Sequence, residues 1–378
     1  MSERKLAHIE KITGISPIEK ADKLELVVVL GWQCVVQKNE FKVGDLVVYC
    51  EVDSILPERP EFEFTRKYNF RIKTQKLRGV ISQGLILPLT ILPNNDRPMK
   101  WGYIEGGDVT SILGITKYLS PSEKLEALEE AATINNEKNK LKKFLLRYNF
   151  FRRLFLSKKQ KNSFPYWVVK TDEERIQNIP YVIEQFKDKE VYITEKIDYQ
   201  SSSFTGKMIS NTFPIIGKFL AKKFKFIVCS RNLVNNSKDS LYGQIAIKYN
   251  LESILRKNPT LVIQGEQGNG KVQGNKYELK EPKMWVFNII DYKQNYHFNR
   301  QEMERFCKDN KLDIVPLIKT CKLSDIGSTV EDFVNFSKGN SVIKTDIKRE
   351  GVVIRCIEGG KKVLSFKVIN PDFLLKYD

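Results

Sequence analysis

Between Lys23 and Leu89 the chain is a succession of β-branched runs cut at short intervals by glycine. The stretches "KLELVVVLGWQCVVQ" and "GDLVVYCEVDSILP" break at Gly31 and Gly44, and "RIKTQKLRGVISQGLILPL" breaks at Gly79 and Gly84. Branched and aromatic side chains suit a pleated, half-buried surface, while glycine opens the turns between strands. Strands this short at this spacing predict a small all-β barrel or sandwich. From residue 164 onward the pattern changes to strands mixed with helices. Strands are expected at 189–197, 224–230, 260–265, 284–291, 351–357 and 363–369, and helices at 172–186, 243–257 and 299–310. With 378 residues there is chain enough for two or three cores. The expected architecture is a multidomain α+β protein with a β-barrel first, an α+β domain last, and a helical, basic connection between. The boundaries fall at 1–116, 117–163 and 164–378.

The formal charge of +17 is uneven: the first segment carries +1, the second +7 and the third +9. An excess of this size implies a polyanionic partner, either nucleic acid or an acidic membrane surface. Two clusters stand out. "RKYNFRIKTQKLR" holds Arg66, Lys67, Arg71, Lys73, Lys76 and Arg78 with no acid, and Tyr68 and Phe70 lie among them. Such a mixture suits a groove that tracks phosphates while rings meet bases or sugars, and it equally suits a solvated loop. From Lys138 to Lys161 ten basic residues occur without an acid, on a stretch whose apolar residues recur near helical spacing. That stretch can pack between domains, lie on nucleic acid or sit at a membrane interface.

Other chemistries are narrowed by composition. Two histidines, His8 and His297, make a zinc site or a histidine triad improbable. Six scattered cysteines without a CxxC pair read as reduced thiols of a cytosolic or nuclear protein. No apolar run reaches the roughly 20 residues of a membrane span, and "MSERKLAHIEK" has no apolar signal core. "GEQGNGKV", residues 265–272, matches GxxxxGK but ends in Val272 where a P-loop needs a hydroxyl, and "QGNKYELKEP" makes a poor helix behind it.

The informative runs are strands interrupted by charge. In "VYITEKIDYQSSSF" alternation sets Val191, Ile193 and Ile197 on one face and Thr194, Lys196 and Asp198 on the other. Glu350 introduces the apolar strand of "KREGVVIRC", and Lys367 interrupts "VLSFKVIN". A lone charge in an apolar strand costs several kcal/mol unless partnered, so three such strands suggest charges converging on one pocket. Glu266 in "IQGEQG", Arg231 in "CSRN" and Phe287 in "MWVFNIID" complete what a nucleotide pocket requires.

Lys196-Ile-Asp198, Ser230-Arg231-Asn232, Gly265-Glu266, Phe287, Glu350-Gly351-Val352-Val353 and Lys367 follow the order and spacing of the covalent nucleotidyltransferases. Within that superfamily the chain resembles the RNA ligases of the Naegleria and Deinococcus type, which place an OB-fold module before the transferase domain. DNA ligases and capping enzymes place it after. The resemblance implies an ATP-dependent RNA ligase acting with Mg²⁺ or Mn²⁺ on a 3′-hydroxyl end and a 5′-phosphate end, with nicked duplex RNA as partner. It implies Lys196 as nucleophile, Asp198, Glu266 and Glu350 as acids holding the metal through water, and Lys367 beside the α-phosphate. Glu195, Lys196, Arg231, Glu266, Phe287, Glu350 and Lys367 are then the ATP site, and Arg175 joins the basic residues of the first segment as a nucleic-acid contact. Monomer is the default state, and no stable membrane association is expected. From an ordinary pKa of about 10.4, deprotonating the nucleophile costs roughly 4.6 kcal/mol at pH 7.

Two departures accompany the resemblance. Tyr199 stands where the superfamily's KxDG has glycine, and Ile369 where its KxK has a second lysine, with Lys376 further along. Readings that differ in class are an RNA-binding protein with a degenerate transferase domain, and a DNA ligase or capping relative. Lipid binding through 138–161 is a third.

Overall fold

The computed structural model describes residues 4–93, 104–119, 164–170, 172–209, 223–231, 233–235, 238–270, 273–361 and 363–377. The basic run 138–161, Asn232 and nearly all of the expected connection 117–163 lie outside the described residues. Two compact units divide the chain, one within Met1–Arg152, Gln177–Pro180 and Leu374–Asp378, the other within Arg153–Ile176 and Tyr181–Phe373.

In the first unit β1 (Ala7–Pro17), β2 (Leu24–Val29), β3 (Trp32–Gln37) and β4 (Leu46–Cys50) precede the short β5 (Ser54–Ile55). The hairpin β6 (Thr74–Leu77) and β7 (Val80–Gln83) follows, then β8 (Leu85–Pro88) and β9 (Thr116–Lys117). The main sheet is antiparallel, in the order β3-β2-β1-β4-β8. The first half of β1 pairs with β4 and its second half with β2, and the register shifts between Ile12 and Gly14. A bulge at that point bends the strand, which curls the sheet towards a barrel. The expected all-β module is therefore present, and Trp32, Val47 and Tyr49 sit fully within its core. Part of "RKYNFRIKTQKLR" is not extended: Pro60–Tyr68 forms 3-10 turns ending at Asn69, whose φ of 53° is left-handed.

The second unit contains two five-stranded sheets. One runs β10 (Glu174–Arg175), β19 (Ser365–Ile369), β18 (Gly351–Cys356), β11 (Glu190–Lys196), β17 (Leu317–Lys322). The other runs β13 (Lys223–Cys229), β12 (Gln200–Ile209), β14 (Leu261–Gly268), β15 (Lys283–Asp291), β16 (Tyr296–His297). Helices Leu241–Lys248, Leu251–Lys257 and Arg300–Asp309 bury Tyr242, Ile245, Leu255 and Met303 against Phe204, Ile263 and Val286 of the second sheet. Helix Val330–Ser337 lays Phe333 beside Phe366 of the first.

Three expectations need correction. The helix expected over 172–186 is the short strand β10, a 3-10 turn at Ile176–Asn178 and a helix only at Val182–Gln185. Pro180 disfavours a continuous helix there, and the pull of a sheet edge takes Arg175 alongside β19. The helix expected over 243–257 breaks at Asn250, whose φ is 50°. Strand β12 was not expected, because Ser201, Ser202 and Ser203 disguise it, although Ser202 and Ser203 are buried.

Candidate active site

Strand β11 delivers Lys196 at its C-terminal end. Its antiparallel register on β18 pairs Lys196 with Gly351, which brings the preceding Glu350 against the amine. Lys196 Nζ lies 2.6 Å from Glu350 Oε2. Gly351 has to be glycine: a Cβ there would meet the Val368 carbonyl oxygen at 2.2 Å, so any side chain would push β18 off β19 and carry Glu350 away. On β19 Lys367 faces Val353, and β10 runs parallel beyond it with Arg175 opposite Lys367.

From the second sheet β14 contributes Glu266 and β15 contributes Phe287. Gln264 pairs with Asn288 and Gly265 with Val286, leaving Phe287 as the extra residue of a bulge. Bulges re-aim side chains, and this one turns Phe287 out of the ladder, half-buried against the cluster of Ile197, Tyr199, Tyr277 and Trp285. The buried Arg355 fixes its backbone, donating from Nη1 to the Phe287 carbonyl at 2.6 Å and from Nη2 to Glu173 Oε1 at 2.7 Å.

Electrostatics set this cluster apart. Burial opposes the charge on Lys196, but Glu350, Glu266 and Asp198 outweigh it and hold the amine above its ordinary pKa. Burial pushes Glu266 up to about 8; the pull of Lys196 is outweighed by burial and the repulsion of Glu350 and Asp198. Burial likewise raises Glu350 against the pull of Lys196. Lys367 is lowered to about 8 by burial and by the charges of Arg175 and Lys196, against the support of Asp172. Neighbouring groups driven in opposite directions are a mark of a reactive site.

Asp198 and Tyr199 form a turn held by a segment that the failed P-loop pattern runs into. The Asp198 carboxylate pairs with Lys276, and its backbone N–H donates to Tyr277 Oη at 3.3 Å. Tyr199 donates its hydroxyl to Asn275 Oδ1 at 3.0 Å and stacks with Trp285 at 6.3 Å between ring centres. Its ring lies where a Cβ on Gly268 would be, 2.5 Å from the Tyr199 ring carbon. The bulky residue in place of glycine is thus accommodated by its own aromatic surroundings. Ile369 is buried, on the same face of β19 as Lys367, so the site of the second lysine is part of the core. Lys376 belongs to the other unit.

Of the remaining expected residues, Arg231 joins Lys367 on one carboxylate, and the others are dispersed. Arg231 donates from Nη2 to Asp172 Oδ2 at 2.5 Å, and Lys367 donates to Asp172 Oδ1 at 2.8 Å. The Glu195 carboxylate faces the loop beyond Ser341, where Oε2 accepts from the Val342 N–H at 2.7 Å. In the first unit Arg71 is buried, ion-paired with Asp53 at 2.7 Å and stacked 3.6 Å over the Tyr118 ring, so it is engaged internally. Arg66 pairs with Glu63, while Lys76 and Arg78 are exposed at the tip of the β6–β7 hairpin and Lys67 lies over exposed Tyr68. Lys73 is half-buried, and Phe70 is buried rather than offered to a ligand. Arg175 is buried beside Lys367 in the second unit, remote in sequence from the basic run of the first.

Asp172, Glu173 and Lys276 were not singled out from sequence. The two acids belong to the polar run "KTDEER" and Lys276 to "QGNKYELKEP", where charge is common. Only the contacts distinguish them. Among the described residues no three acidic, histidine or cysteine side chains gather closely enough to ligate one ion directly. No helix among them is long and apolar enough to cross a membrane.

Residues 6–89 match an OB-fold domain model, and residues 189–369 match the model of the RNA ligase family. Comparison with curated proteins found no match. Among solved structures, the chain is similar to Naegleria gruberi RNA ligase with PPi, at 28% identity and a TM-score of 0.76 over 99% of both chains. A mutant of that ligase with ATP and Mn gives 28% identity and 0.75 over 98% of this chain and 99% of that one. Another with AMP and Mn gives 28% and 0.74 over 99% of both.

Proposed function

We propose that this chain, which carries an RNA ligase family domain behind an OB-fold module, seals RNA with ATP. It joins a 3′-hydroxyl end to a 5′-phosphate end at nicks in duplex, through AMP carried on Lys196 and then on the 5′ end. The observation that carries this reading is the 2.6 Å approach of Lys196 to Glu350, within the field of Glu266 and Asp198.

A primary amine among three carboxylates is a nucleophile held in its charged form. Loss of its proton costs roughly 4.6 kcal/mol at pH 7 from an unperturbed pKa of 10.4, and the acids add to that cost. A divalent cation supplies positive charge that offsets the acids and the triphosphate. The donor set fits it: the hard carboxylate oxygens of Glu350, Glu266 and Asp198 near the amine suit Mg²⁺ or Mn²⁺. Asp198 and Glu350 would hold it through its waters, with Glu266 as the third acid of the set. The freed amine attacks the α-phosphorus, a P–N bond forms and the bond to pyrophosphate breaks. Lys367 offsets the charge on the α-phosphate oxygens as pyrophosphate leaves.

Burial pushes Glu266 up to about 8, and in its protonated form it offers a donor as well as an acceptor to the ribose hydroxyls. Phe287 stacks on the adenine, and Arg231 takes a phosphate of ATP or of the RNA end. Glu195, fixed by the Val342 N–H, holds the strand end that carries the nucleophile. Arg175 supports Lys367 from β10. The 1–116 module grips duplex RNA through Lys67, Lys76 and Arg78, and 117–163 connects it to the catalytic domain 164–378.

Intact-protein mass after incubation with ATP and Mn²⁺ tests the reading. One AMP adduct on nucleotide-free wild type and none on Lys196→Ala is the expected result, followed by sealing of nicked RNA. An adduct formed only with GTP would mark a capping enzyme. Absence of any adduct on wild type, with RNA binding intact, would mark a binding protein.

A further inference from the structure

The contact between Lys276 and Asp198 has no role in the reaction just described, yet it is built with care. Three interactions from one short segment hold the Asp198 turn: Asn275 accepts the Tyr199 hydroxyl at 3.0 Å, Tyr277 accepts the Asp198 N–H at 3.3 Å, and Tyr277 packs on Tyr199 with ring centres 5.2 Å apart. The backbone of that segment bends sharply to do so, with φ of 69° at Gly274 and 47° at Asn275. The outcome is that the ammonium of Lys276 is set on the Asp198 carboxylate, with only about a fifth of either side chain exposed. On its other side the same ammonium lies 4.7 Å from the centre of the Phe373 ring.

We propose that Lys276 is a resident cation that competes with the hydrated divalent ion for Asp198, and so sets how much metal the protein needs. The inference rests on the water-mediated metal role given to Asp198 above. An ammonium and a hydrated Mg²⁺ or Mn²⁺ both present N–H or O–H donors to the carboxylate, and both satisfy its charge. They cannot share it at full strength: two cations within a few ångström repel strongly where water is scarce. When metal takes Asp198, Lys276 retains the Phe373 ring as its partner, since a ring face attracts a partly desolvated ammonium. Displacement therefore has a defined destination. The extra bulk of Tyr199 belongs to the same device, because its hydroxyl and ring anchor the segment that presents Lys276.

Metal binding, read without turnover, tests this. Free Mn²⁺ is followed by electron paramagnetic resonance in the full chain carrying Lys196→Ala, with ATP present. Lys276→Met and Lys276→Arg are added in turn, and thermal melting shows that each variant is folded. Removing the cation is expected to tighten Mn²⁺ binding about fivefold to tenfold, the scale of a half-buried ion pair. Lys276→Arg, which keeps the charge, should stay within twofold of its parent. In the Lys196 background the Mn²⁺ concentration for half-maximal AMP adduct should fall by the same factor in Lys276→Met. Should Lys276→Met misfold, Lys276→Gln takes its place under the same expectation. Unchanged or weaker Mn²⁺ binding in the neutral variants overturns the inference while leaving the ligase reading intact. Failure of the parent itself to bind Mn²⁺ with ATP overturns the metal reading and the inference with it.

Discussion

Asp172 receives the ammonium of Lys367 on one carboxylate oxygen at 2.8 Å and the guanidinium of Arg231 on the other at 2.5 Å. The two cations assigned above to phosphates are thereby gathered on one carboxylate that is 44% exposed. Its neighbour Glu173 holds Arg355, which in turn holds the backbone of Phe287, so two adjacent acids just before β10 reach Lys367, Arg231 and, through Arg355, Phe287.

If Asp172 stands where a phosphate will stand, removing its charge should favour phosphate. Asp172→Asn is expected to bind pyrophosphate about threefold to tenfold more tightly, the range for a partly exposed ion pair. Inhibition of adduct formation by pyrophosphate measures this. An inhibition constant that stays the same or rises would mean that Asp172 arranges the two cations and does not compete for them.

Glu266 yields a pH-dependent expectation. Its folded pKa is raised to about 8, whereas the unfolded chain gives up the same proton near 4.3. The folded state then binds more protons between those values, and stability falls as pH rises through that window. Glu266→Gln removes the titration, so it should melt above wild type at pH 8, with the gap closing towards pH 4.5. The amide also retains a donor and an acceptor for ribose, so adduct formation at pH 7 should drop about tenfold, against a hundredfold or more for Glu266→Ala. A Gln variant that melts below wild type at pH 8 would show that the folded carboxyl is ionised.

Lys196, Asp198, Glu350 and Lys367 could be found from sequence because each breaks an apolar strand, and a charge there calls for a partner. That logic is local, and strand alternation supports it. The structural places of Asp172 and Lys276 were hidden by the same logic, since both sit in polar turns where one more charge carries no signal. The bulge that sets Phe287 out of the ladder depends on the register between β14 and β15, which no property of "MWVFNIID" alone encodes. Strand β12 was hidden because its buried serines are satisfied by partners distant in sequence, such as the Gly265 carbonyl at 3.0 Å from Ser202 Oγ. The basic run of the first unit misled in a different way: counting charge could not separate Arg71, enclosed by Asp53 and Tyr118, from Lys76 on the surface.

That separation can be measured. Arg71→Ala strips a buried pair of its cation and should cost about 2–4 kcal/mol of stability, seen as a lower melting temperature of the first unit. Lys76→Ala and Arg78→Ala should leave melting within error and weaken RNA binding. Each should reduce the slope of log affinity against log salt by up to about one. Lower RNA affinity in Arg71→Ala with unchanged melting would reverse the assignment and make Arg71 a contact.

The first unit holds a second titration. His8 is buried with Nδ1 2.6 Å from Glu10 Oε1 and Nε2 3.5 Å from Glu51 Oε1, while Glu51 also pairs with Arg4 and accepts from Asn178 Nδ2 at 2.9 Å. Burial works against the imidazolium, but the two carboxylates prevail and raise its pKa to about 9. A histidine whose folded pKa lies above its unfolded value of about 6.5 adds stability that is complete below that value. The contribution declines as pH climbs from there through about 9, where the folded state also loses the proton. Its size is about 3.5 kcal/mol at most, from a shift of about 2.5 at roughly 1.4 kcal/mol per pKa unit. His8→Gln should therefore lower the melting temperature by several degrees at pH 6, and the deficit should shrink as pH rises from about 6.5 and be gone above about 9. A deficit that is the same at pH 6 and pH 10 would show that His8 is neutral in the folded state, and that its worth lies in packing against Tyr49, whose ring centre is 5.4 Å away.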